Sequence, residues 1–137
     1  MTSKILCATD GTENSAHAVE LAGRLAAVLG ATLSICAVNV AHGGVRGPLV
    51  YKWEDDEVKK ILDAAAGTAR KAGAGKVEEL ALRSREAASA IVQYAEENGF
   101  GHIVVGTGDK RGVSRLVLGS VASDVASRAH CSVTVAR

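Results

Sequence analysis

A chain of 137 residues and 14.0 kDa has the length of one ordinary domain, able to bury about two thirds of the surface its unfolded form exposes. Lys plus Arg number 16 against 15 for Asp plus Glu, and the formal charge of +1 gives no net field to hold a phosphate polymer or an anionic bilayer. The aromatics, Tyr51, Trp53, Tyr94 and Phe100, are too few for a base-stacking platform, so neither nucleic acid nor membrane is an expected partner.

Lys4 to Thr9 is a short apolar run closed by Asp10 and Gly11, a predicted first strand too short for a secretory segment. Ala18, Leu21, Ala22, Leu25 and Leu29 then recur at steps of three and four, a helix that Asn14 or Ser15 can cap and that Gly30 ends. Thr32 to Val40 reads as a second strand. Val58, Ile61, Leu62, Ala65 and Ala69 give a second helical stripe closing at Gly73, with Glu54 to Glu57 at its start and Arg70 and Lys71 near its end, an order that complements the helix dipole.

Val77 to Leu82 is the third strand, Ala88, Ile91, Val92 and Ala95 mark a third helix ending at Asn98 and Gly99, and His102 to Gly106 is a fourth strand of nearly continuous apolar residues. Gly119 and Ser120 open a fourth helix, and Ser132 to Ala136 alternates as a final strand. The order βαβαβαβαβ predicts a single α/β domain over residues 1–137: one open parallel sheet of five strands, helices on both faces, and the last strand at an edge. Two connections exceed the usual length, about 41 to 53 and 107 to 118, and both leave carboxyl ends of strands, where open α/β sheets place ligands.

Cys7, Cys36 and Cys131 are odd in number and lack C-x-x-C spacing, so they read as small core residues in a reducing cytoplasm, without disulfide or zinc. His42 lies at the ligand end with no nucleophile beside it, His102 and His130 lie at the opposite edge, and His17 faces the surface of the first helix. The stretch Gly106 to Ser120 carries the chemistry. A glycine-rich turn after a buried strand, feeding a helix, combines backbone N–H groups with the positive end of a helix dipole, and phosphate is its natural guest. It is neither a Walker A loop, since Ser120 and Val121 follow Gly119, nor a dinucleotide fingerprint, since Gly106, Gly108 and Gly112 are spaced one residue too wide.

Four segments resemble the universal stress protein family across essentially the whole chain: Ile5 to Thr12, the pair Ala37 and Val38, Ile103 to Thr107, and Leu118 to Ala122 before Cys131 to Val135. In the nucleotide-binding branch of that family the fourth strand is followed by Gly, two residues, Gly, nine residues, Gly, then Ser or Thr. Those places fall on Gly106, Asp109, Gly119 and Ser120, so Asp109 alone departs.

The resemblance implies that Asp10, flanked by Ala8 and Thr9, holds the ribose end of an adenine nucleotide and that Val38 lies against adenine. It further implies that Gly106, Gly119, Ser120 and Val121 line the phosphates, with Thr107, Gly108 and Asp109 also in the nucleotide site. A carboxylate there repels polyphosphate, which favours AMP over ATP, or ATP with a bridging Mg2+. The expected function is a cytoplasmic, largely non-catalytic stress-response module that binds ATP or AMP, is read by an unknown partner protein, and dimerises through the last strand at Val133 and Val135. The alternative is a nucleotide-free dimeric interaction module, and weak phosphotransfer aided by Lys110 and Arg111 is a third reading without a general base.

Overall fold

The computed structural model describes residues 3–107 and 118–137. In chain order the elements are β1 (Lys4–Ala8), α1 (Glu13–Leu29), β2 (Thr32–Gly43), β3 (Leu49–Tyr51), α2 (Asp55–Lys71), β4 (Val77–Ser84), α3 (Ala87–Glu97), β5 (His102–Gly106), α4 (Ser120–Arg128) and β6 (Ser132–Ala136). Five strands form the expected parallel sheet in the order β4-β2-β1-β5-β6, with β6 at one edge.

The sheet holds six strands, not five. β2 runs three residues past Val40, and in the connection expected to be loop, Leu49–Tyr51 folds back antiparallel on Ala41–Gly43. The physical reason is that Val40 and Ala41 on one side and Leu49 and Val50 on the other flank a turn rich in Gly and Pro, which is a hairpin signal. β4 likewise extends two residues beyond Leu82, following β2 through Val40↔Ser84.

Side chains alternate across the sheet. Ile5, Cys7, Leu33, Ile35 and Val104 face α1 and α2, whereas Leu6, Cys36, Ile103 and Val105 face α3 and α4. Burying each of the larger side chains contributes about 1.5–3 kcal/mol. The two buried cysteines belong to this packing: burial pushes the Cys36 thiol up to about 12 and the Cys7 thiol higher still, so both stay neutral. Cys131 lies just before β6, half-buried, and its thiol is also raised by burial.

Helix ends follow the expected chemistry with one change of residue. The cap of α1 is Thr12, whose hydroxyl accepts from the Ser15 N–H, in place of Asn14 or Ser15. Gly30 closes α1 with φ 64°. At α4 the cap is Gly119 and Ser120 is the first helical residue. Among the described residues no helix is long and apolar enough to cross a membrane.

Candidate functional site

Strand order reverses between β1 and β5: the chain moves from β1 outward through β2 to β4, then returns to β5 and moves outward to β6. Beyond the carboxyl ends of β1 and β5 the two crossovers separate and leave a crevice. A cleft of about 350 Å³ lies there.

Its polar end is built by the turn from β1 into α1. Thr9 and Ser15 are buried, and their hydroxyls meet at 3.0 Å. Asp10 Oδ1 accepts from the Thr12 N–H at 3.0 Å and from the Thr12 hydroxyl at 2.6 Å, a self-contained Asx turn that fixes the carboxylate at the cleft wall. Both of these bonds run through Oδ1. Burial pushes the Asp10 carboxyl up, but the Thr12 hydroxyl and N–H, Ser15 and the charge of Lys52 together hold it below the ordinary 3.8.

The opposite wall is the start of α4, where Gly119, Ser120, Val121 and Ala122 line the cleft. The first N–H groups of a helix have no intrahelical acceptor, and they carry the positive end of its dipole. The Gly119 N–H donates to the Thr107 carbonyl at 2.8 Å, tying this helix start to the end of β5. Gly106 completes the floor. A Cβ on it would lie 2.8 Å from the Asn14 carbonyl oxygen, so only glycine lets β5 pass this close to the start of α1.

The apolar end comes from Val38 and Val40 of β2, Ala87 and Ile91 of α3, and Val105 of β5. Along β2, backbone groups point alternately to the two edges. The Cys36 carbonyl accepts from Thr9, and the Val40 carbonyl accepts from Lys52, each at 2.9 Å, so even-numbered residues address the β1 side. On that side β1 pairs only as far as Cys36 and β3 begins opposite Ala41. Val38 falls between the two ladders, and its N–H and C=O face the cleft.

Thus Ala8, Thr9, Asp10, Val38, Gly106, Gly119, Ser120 and Val121 come together on one cleft, as expected from sequence. Thr107 stands beside it, holding Gly119 through its carbonyl. Gly108 and Asp109, with Lys110 and Arg111, lie outside the described residues. Val133 and Val135 are half-buried against the α3/α4 core, away from the cleft, on the edge strand.

Sequence reasoning missed Lys52, Thr12 and Ser15 as wall residues. Lys52 escaped because the hairpin that leads into it was not foreseen. Trp53 is fixed by Asn39, 2% exposed, whose side-chain amide accepts from the Trp53 N–H at 2.9 Å and donates to its carbonyl at 2.8 Å. Among the described residues, no group of three His, Cys, Asp or Glu side chains is arranged to hold a metal, and Asp10 is the one carboxylate among those lining the cleft.

The family model for the universal stress protein family matches residues 1–137. The universal stress protein YxiE of Bacillus subtilis is 33% identical to this chain, with 100% of both chains covered. A solved universal stress protein in complex with cAMP aligns with a TM-score of 0.78 at 26% identity, over 99% of this chain and 97% of the other. The universal stress protein of Archaeoglobus fulgidus in complex with dAMP aligns with a TM-score of 0.74 at 25% identity, over 98% and 97%.

Proposed function

The chain belongs to the universal stress protein family, and from that premise we propose that its cleft binds an adenine nucleotide as a regulatory, non-catalytic module. The observation that carries this reading is the Val38 peptide group facing the apolar end of a cleft whose far wall is a helix N-terminus. A peptide N–H and C=O side by side match the N1 acceptor and N6 donor of adenine, the Asp10 carboxylate suits a ribose hydroxyl, and the start of α4 suits phosphate. The relatives solved with cAMP and dAMP lend support from outside the chain.

AMP is favoured over ATP. Asp109 stands where the family's nucleotide-binding pattern has glycine, and each further phosphate adds charge toward it. Among the described lining residues a divalent cation meets one carboxylate, Asp10, so Mg2+ would arrive held by the phosphates of ATP, and AMP needs none. Among the described residues no His or Cys lines the cleft to act as base or nucleophile, which supports binding without turnover. A cytoplasmic stress-response role, read by a partner protein that senses occupancy, completes the proposal. A homodimer joined through β6, an edge strand with an unpaired side, belongs to the same reading.

The base contact is tested by dialysis of nucleotide-free protein against AMP and GMP. Guanine presents a donor at N1 and an acceptor at O6, the reverse of the pattern that the Val38 peptide pairs with, so AMP is retained and GMP is not. Equal retention of both would overturn the adenine assignment.

A further inference from the structure

The wall formed by Lys52 and Trp53 lies in none of the segments that carry the family resemblance, yet the fold commits a buried polar residue to it. Burying an amide is costly unless its donor and acceptor are both paired, and Asn39 directs both to the backbone of Trp53. Trp53, so held, supports Lys52: the ammonium lies 5.1 Å from the indole centroid, within cation–π range. The Lys52 N–H bond to the Val40 carbonyl fixes the backbone at the same point. Lys52 lines the cleft, is exposed, and forms no ion pair with any described carboxylate.

Asp10 and Lys52 are therefore the carboxylate and the cation among the described lining residues. A phosphate at the start of α4 lies across the cleft from the Asp10 carboxylate, whose charge opposes it, and among the described lining residues the Lys52 ammonium is the charge of opposite sign that offsets this. A neutral nucleoside gains nothing from that ammonium. We infer that Lys52, seated on Trp53 and positioned through Asn39, is a specificity-determining residue that selects a phosphorylated nucleoside over the free nucleoside. This rests on the nucleotide-binding reading of the cleft.

Calorimetric titration of the full chain with 5′-AMP and with adenosine, using wild type, Lys52→Ala, Lys52→Arg and Lys52→Glu, tests it. Lys52→Ala should weaken AMP about three- to tenfold and leave adenosine within about twofold. Lys52→Arg should keep wild-type preference within about twofold, and Lys52→Glu should weaken AMP by about tenfold or more. Raising salt should narrow the preference of wild type for AMP but not that of Lys52→Ala. If Lys52→Ala weakens AMP and adenosine equally, or changes neither, the Lys52 role falls while nucleotide binding stands. If wild type binds neither ligand, the nucleotide reading itself falls, and the Lys52 role with it.

Discussion

Asp10 and Thr12 form one unit at the residue scale. The Thr12 hydroxyl donates to Asp10 and accepts from the Ser15 N–H, so a single side chain caps α1 and holds the carboxylate. Thr12→Val removes both bonds. It should destabilise the protein by about 1 kcal/mol in denaturant melts and move the Asp10 titration midpoint, followed by NMR, upward. Because the folded carboxyl titrates below its ordinary 3.8, it contributes stability above that pH and loses it as pH falls through the folded value. The difference between wild type and Thr12→Val should therefore shrink in that acid range. A midpoint unmoved by the substitution would contradict the role of the Thr12 hydroxyl in holding the carboxylate. Asp10 itself was legible from its place at the end of the first strand, but Thr12 was not, because Thr12, Asn14 and Ser15 are all capping residue types within four positions of one another and only the geometry decides among them.

At the scale of elements, the parallel strands and four helices were legible because each helix carries an apolar stripe and each strand an apolar run or alternation. The β2–β3 hairpin was not. Three residues are too few for a period to show, and their pairing depends on β2 continuing past the point where β1 ends. With the hairpin went Lys52 as a wall of the cleft, since it follows directly from β3. Asn39, read only as one residue of an apolar strand, is what secures that wall. Asn39→Ala leaves the Trp53 N–H and C=O without these partners and should cost about 1–3 kcal/mol. Trp53 is the only tryptophan, so its emission should shift to the red as the segment loosens. Unchanged emission with unchanged stability would mean that the clamp holds nothing.

Across the whole molecule, two cores on opposite faces of one sheet meet at the strand-order reversal, and the cleft is a consequence of that topology. The family resemblance named eight residues that line the cleft, and strand ends and the glycine before α4 mark the same crevice in sequence and in space. Val38 shows where that stops. One valine carries no chemical signal, and its backbone faces the cleft only because two ladders, both non-local, leave a gap between them. β6 presents its free edge on the far side of the sheet, while Val133 and Val135 lean on the protein's own core, so the proposed dimer joins through backbone pairing. Sedimentation equilibrium should then give twice the 14.0 kDa chain mass, and a monomer mass across the micromolar range would contradict the edge-paired dimer.

The most direct test of nucleotide binding is calorimetric titration of nucleotide-free protein with AMP and then ATP, on wild type and Asp10→Ala. Saturable binding of AMP, weaker for ATP and sharply reduced by Asp10→Ala, is the predicted result. No heat with either nucleotide would contradict the account and leave a dimeric interaction module of the same fold in its place.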